Sequence, residues 1–161
     1  MLCVVKPPAP IHLDAGTPSV FLAGSIEMGQ AEDWQARVEH ALQDLDIVLL
    51  NPRRDEWDAS WVQSIANPQF REQVEWELSG LEQAAIVAMY FAPATKAPIT
   101  LLELGLTAPS GRLVVCCPDG YWRKGNVEIV CHRHGVPLVT SLEELLVEIR
   151  RRALRLAGQS G

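Results

Sequence analysis

Along the chain, continuous apolar runs alternate with segments whose apolar residues recur every three or four positions, and this predicts strands and helices in turn. Residues 19–23 (SVFLA) read as a short buried strand that stops at Gly24 and Ser25. Trp34, Val38, Ala41 and Leu42 then fall at helical spacing, and residues 46–50 (DIVLL) form a second strand closed by Asn51 and Pro52. A helix over residues 69–83 leads to a third strand at 85–91 (AIVAMYF), apolar throughout as in a parallel strand covered on both faces. Pro98 suits the first turn of a helix carrying ITLLELGL at 99–106, and residues 113–117 (LVVCC) make a fourth strand. A helix over 126–134, a short strand at 136–139, and a closing helix from Ser141 with Glu144 as its capping-box partner complete the pattern.

Parallel neighbours need crossover connections, so this alternation predicts a doubly wound, Rossmann-like α/β domain with five parallel strands in the order 2-1-3-4-5 and helices on both faces. A single domain is expected over 1–161, with an N-terminal arm at 1–18 and a tail at 158–161. Ligands of such sheets occupy the crevice beyond the strand C-termini where strand order reverses, which places Gly24, Ser25, Tyr90 and Phe91 on its rim. The polar, Pro-bounded segment 51–68 carries Trp57 and Trp61 and is too long for a mere connection; it reads as a lid or binding loop.

Composition narrows the partners. The chain has 161 residues and a net charge of −6, which argues against a general electrostatic grip on nucleic acid or an anionic membrane surface. Small molecules or proteins are the expected partners. No apolar run reaches transmembrane length and the first residues lack the features of a signal peptide, so a cytoplasmic location is expected. Cys3, Cys116, Cys117 and Cys131 lack CxxC spacing and read as reduced thiols. Cys131, His132 and His134 form the sharper metal alternative, but neighbouring positions on a helix diverge; no metal and no cofactor is expected.

Two carboxylates break the pattern. By helical spacing Glu103 shares a face with Ile99, Leu102 and Leu106, and taking a lone carboxylate out of water costs several kcal/mol unless it is paired or opens on a cleft. On the preceding helix Phe70, Val74, Leu78 and Leu81 form the expected core stripe and Glu72, Glu75, Ser79 and Glu82 the polar one; Glu77 belongs to neither. An architectural network anchored by Arg53, Arg54, Arg71 or backbone amides accounts for both glutamates as well as an active site does. As a site, the pair suits glycosidic chemistry: one carboxylate attacks an electron-poor carbon while the other orients substrate or handles a proton. Neither GxGxxG after the first strand nor GxxxxGK[ST] is present, which leaves P-loop and dinucleotide chemistry unsupported.

The segments FLAGSI (21–26), NPRR (51–54), FREQVEWELSGLEQA (70–84), MYFAPATKAPITLLELGL (89–106) and GYWRKGNV (120–127) together resemble the nucleoside 2-deoxyribosyltransferase family, and most closely its deoxyribosyltransferase-like branch. The resemblance implies that Glu103 is the nucleophile that attacks C1′ of a nucleoside and holds the sugar covalently, and that Glu77 helps to position substrate. It also implies that Gly24, Ser25 and Ile26 border the sugar site and that Asn126 reaches substrate, as in relatives that build the site across a subunit boundary; as a bare residue Asn126 reads as a helix cap. Where transferases of the family carry an Asp that reads the base and nucleotide hydrolases a Ser that binds the 5′-phosphate, this chain has Ala97; where nucleotide-acting relatives place an Arg after GSI, it has Glu27. Arg53, Arg54 and Thr95 are the remaining candidates for anion contacts, and Tyr90, Phe91, Trp57 and Trp61 the candidates for stacking on a base, with core packing the expectation for Phe91 and Trp61. The basic tail RRRALR reads as a solvated helix end.

The expected activity is cleavage or exchange of the base of a nucleoside-like substrate, by transferase or hydrolase, through Glu103 with Glu77 assisting. Arg54, Trp57, Tyr90, Thr95 and Asn126 are expected to bind substrate alongside Gly24, Ser25 and Ile26. The rival is a catalytically silent module that binds a nucleoside-like ligand in the same crevice. A homodimer is expected, with Leu101 and Leu104 supplying apolar contact surface.

Overall fold

A computed structural model describes residues 1–26, 32–55 and 58–159. The strands are β1 (Cys3–Val5), β2 (Ser19–Gly24), β3 (Val48–Leu50), β4 (Ile86–Tyr90), β5 (Leu113–Cys116) and β6 (Leu138–Val139); the helices are α1 (Trp34–Ala41), α2 (Pro68–Gln83), α3 (Pro98–Thr107), α4 (Lys124–His134) and α5 (Leu142–Gln159). They form one parallel sheet in the order β1-β3-β2-β4-β5-β6. The doubly wound α/β class is as expected, but the sheet has six strands rather than five. The extra strand lies in the segment read as an arm: Cys3–Val5 pairs along the outer edge of β3, and β2 to β6 keep the expected relative order inside it. A three-residue edge strand with one partner and little burial leaves no periodic signal.

The central strands are apolar because both of their faces are covered. Val20, Leu22, Ile86, Ala88 and Tyr90 face a cluster built with Trp34 and Val38 of α1 and Leu142, Leu145 and Ile149 of α5. Phe21, Ala23, Val87 and Met89 face the opposite cluster, which contains Trp76 and Leu81 of α2, Leu104 of α3 and Val127 of α4. The arm is part of the second layer: Ile11 and Leu13 pack against it, and Trp76 Nε1 donates to the Ala9 carbonyl at 2.7 Å.

Local signals set the helix ends. The Asp33 carboxylate accepts from Ala36 N and caps α1, while the Asn67 side chain accepts from Phe70 N with Pro68 in the first turn of α2. Ser141 Oγ accepts from Glu144 N and Glu144 Oε2 from Thr140 N, a capping box at the start of α5. That helix continues to Gln159, through the start of the segment read as a tail.

Candidate active site

The crevice where strand order reverses lies between the C-terminal ends of β2 and β4. Gly24 pairs with Tyr90 in register, and the next residue, Ser25, donates its backbone N–H to the Tyr90 carbonyl at 3.1 Å. Gly24 is required by packing: a Cβ there would stand 2.5 Å from the Tyr90 carbonyl oxygen and 2.6 Å from the Trp34 ring. Ser25 is fully buried, and its hydroxyl accepts from Ala92 N at 3.0 Å and lies 2.8 Å from Thr95 Oγ1. Thr95 Oγ1 in turn donates to the Ala92 carbonyl at 2.9 Å, so Ser25 is the donor to Thr95 and the hydrogen bonds close a ring. This clasp ties the loop after β2 to the loop after β4. Both hydroxyl protons are used within the ring, which makes Ser25 and Thr95 organisers of the crevice.

Glu103 lies in the second turn of α3, on its buried face with Thr100, Leu104 and Thr107. The expected helix face is therefore corrected: Ile99, Leu102 and Leu106 are 57%, 60% and 57% exposed, whereas Glu103 is 8% exposed. Apolar residues surround α3 on nearly every side, so periodicity does not select a face, and packing against the sheet sets the rotation. The same rotation buries Leu104 and half-buries Leu101, so the apolar surface open to a partner is Ile99, Leu102 and Leu106 instead.

A similar rotation applies to α2. Its buried residues are Gln73, Trp76, Gly80 and Leu81, while Phe70, Val74 and Leu78 are only half-buried. Gly80 explains the choice, because a Cβ there would stand 2.5 Å from the Phe21 ring; only this face brings the helix close to β2. Glu77 thereby turns inward, where its Oε1 accepts from Gln73 Nε2 at 2.9 Å.

The arginines that would have made these glutamates architectural are engaged elsewhere. Arg53 pairs with Asp33 and donates to Gln35 and to the Glu32 carbonyl; Arg54 pairs with Glu72 at 3.1 Å and stacks over Trp61; Arg71 pairs with Glu75. Among the described residues the Glu103 carboxylate has neither an ion pair nor a hydrogen bond, and the group that bears on it is Glu77. Burial pushes Glu103 up to about 8, with the charge of Glu77 adding to the rise. Glu77 is pushed up to about 7 by burial, against which the Gln73 hydrogen bond acts. With Glu103 buried, Glu77 half-buried and no cation at either among the described residues, the two carboxyls cannot both ionise cheaply, and between about pH 7 and 8 the pair holds a single proton.

The remaining candidates are more dispersed. Ile26 is half-buried beyond Ser25, and Trp57 and Glu27 lie outside the described residues. Tyr90 stands on the opposite face of the sheet from α2 and α3, its ring 5.3 Å from that of Trp34. Phe91 is buried against Tyr121, as expected for a packing residue. Asn126 lines a groove of about 340 Å³ with Leu101, Leu104, Gly105 and Trp122, and neither glutamate is in its lining. Cys131 is buried while His132 and His134 are exposed, which separates the residues of the metal alternative. Gln73 was not among the residues singled out by sequence, although its place one turn before Glu77 is the spacing at which helical side chains meet. Ala97, at the start of α3, adopts a left-handed conformation (φ 45°) with its methyl group buried.

The fold is a doubly wound α/β domain, and among its described residues the Glu103 and Glu77 carboxyls have no neutralising cation. The profile of the nucleoside 2-deoxyribosyltransferase-like family matches residues 17–121, from the start of β2 to the segment before α4, and the chain belongs to that family. Among solved structures, a conserved protein from Enterococcus faecalis V583 is similar with a TM-score of 0.57 and 16% identity over 84% of this chain and 99% of that one, a likeness of fold. No curated protein matches the chain. No helix among the described residues is long and apolar enough to cross a membrane.

Proposed function

We propose that the protein cleaves or exchanges the base of a nucleoside-like substrate through a covalent glycosyl intermediate on Glu103. Nucleoside processing is what the family implies in general. The observation that carries the finer reading is the buried Glu103 carboxyl, which has no neutralising partner among the described residues except a second carboxyl. In the first step the Glu103 carboxylate bonds to C1′ as the C1′–N bond breaks, and the electron pair leaves with the base nitrogen, which takes a proton from neutral Glu77 or from solvent. Water then releases the free sugar, or a second base releases a new nucleoside. Ionised Glu103 beside protonated Glu77 is the productive arrangement; with Glu103 raised to about 8 and Glu77 to about 7 it is the less populated form of the singly protonated pair, reached when the proton passes from Glu103 to Glu77. The reading places the enzyme in the cytoplasm as a homodimer that acts on small molecules and needs no cofactor.

Ala97 favours a second reading, a nucleoside-binding module without turnover, because its buried methyl group offers no polar contact to a base or a phosphate. One experiment separates the two. The protein is incubated with a panel of nucleosides and nucleotides, with and without a free acceptor base, and base release or exchange is followed by chromatography. Release that disappears in Glu103→Gln supports the enzyme; saturable binding with no release supports the module.

A further inference from the structure

Gln73 is 4% exposed and commits both hydrogens of its amide, donating from Nε2 to the Pro52 carbonyl at 2.9 Å and to Glu77 Oε1 at 2.9 Å. Its own Oε1 is buried without a partner. An unsatisfied buried carbonyl is costly, and a methionine would fill the same space without it, so the side chain is explained by what its two donors hold. The Pro52 carbonyl is a firm anchor. It follows Asn51, a buried residue whose Oδ1 accepts from Arg53 N and whose Nδ2 donates to Glu39 at 2.6 Å. A continuous line of contacts therefore runs from the end of β3 through Gln73 to Glu77, and electrostatically on to Glu103.

We propose that Gln73 is the positioning residue of the carboxyl pair: its amide holds Glu77 Oε1 as an acceptor, so that the proton of neutral Glu77 is carried on Oε2, the oxygen left to face substrate or Glu103. A carboxylic acid has one proton and two unequal oxygens, and a donor fixed on one of them decides which is the acid. Without that donor Glu77 would turn about its terminal bond and present either oxygen. The charged groups around Glu77 leave this role to Gln73. Glu103 on α3 is the acid that couples to it, while Arg54 of the loop after β3 is bound to Glu72 and Arg53 to Asp33. The inference rests on the glycosidic reading for its chemistry and on the two hydrogen bonds for its geometry.

The test reads Glu77 directly and then turnover. In ligand-free protein labelled with 13C at the glutamate carboxyl carbons, the Glu77 resonance is assigned with Glu77→Gln and titrated with Glu103→Gln as the common background. A hydrogen bond to the ionised form favours ionisation, so Gln73→Met should move the Glu77 midpoint upward by about one pH unit. In the enzyme with Glu103 intact, Gln73→Met should lower kcat by about tenfold to a hundredfold with KM held within about threefold, and the limb of the rate profile set by Glu77 should move upward with the midpoint. An unmoved midpoint overturns the proposal, as does lost turnover with an unchanged pH profile, which is what a merely structural glutamine would produce. If the parent turns over no nucleoside, the glycosidic reading fails while the NMR midpoint still decides the role of Gln73. Should Gln73→Met fail to fold, Gln73→Leu, which also removes the donor and adds no charge, is titrated instead and the same upward movement is required.

Discussion

Glu103 on α3 and Glu77 on α2 form an acid pair with no cation at either carboxyl among the described residues: the charge of Glu77 adds to the rise of Glu103, and Glu77 accepts a hydrogen bond from the neutral Gln73 amide. Raised to about 7 for Glu77 and about 8 for Glu103, the two titrate as a unit. If the singly protonated pair is the active form, kcat/KM should rise and fall as a bell with its maximum between about pH 7 and 8. Initial rates of base release across pH 5 to 10 check this. A profile flat through that window would remove the shared proton from the mechanism.

Glu103→Gln should abolish base release and leave ligand binding largely intact, because the amide keeps the shape but cannot attack as an anion. Stability supplies a second reading. A carboxyl whose folded pKa is raised above its unfolded value binds its proton more tightly in the folded state, so its contribution is fully present below about pH 4.5 and is lost as pH rises toward about 8. The glutamine variant should therefore match the parent near pH 4 and exceed it by on the order of 1–3 kcal/mol near pH 8. Urea denaturation at the two pH values measures the difference, and equal stabilities at pH 8 would mean that Glu103 is not desolvated in solution.

Gly24→Ala should destabilise the fold by about 1–3 kcal/mol, since the added methyl group collides with the Tyr90 carbonyl and the Trp34 ring. The shift should also reach function, because Ser25 and its clasp to Thr95 follow directly. Thermal unfolding followed by tryptophan fluorescence tests the first effect, and ligand affinity the second.

The exposed side chains of Ile99, Leu102 and Leu106 on α3 should lie in the homodimer contact. Light scattering at micromolar concentration should show a dimer for the parent and a monomer for Leu102→Arg. A parent that is monomeric, or a variant that remains dimeric, would move the contact elsewhere or remove it.

The strand order and the switch point were legible in the sequence because β2 and β4 are buried on both faces and read as unbroken apolar runs. Glu103 and Glu77 were legible as anomalies for the complementary reason, that a charge beside apolar neighbours needs an explanation. Helix rotation was not legible. On α3 isoleucine and leucines occupy several faces, and on α2 the decisive residue is Gly80, whose importance lies in an absent Cβ against Phe21. Gln73 escaped for a related reason: a lone glutamine in a polar helix carries no signal until its two acceptors, Pro52 and Glu77, are both in place.

The shape of the sheet also limits how copies of the chain can adhere to one another. Its outermost strands, β1 and β6, have three and two residues, whereas β2 and β4 inside it have six and five. Few free amides and carbonyls are therefore offered to an incoming strand. Open-ended stacking of sheet on sheet edge is disfavoured by construction, and contact between molecules is directed to the helical faces, where a surface that meets its own copy closes on itself. Concentrating the protein should yield discrete particles, not fibrils.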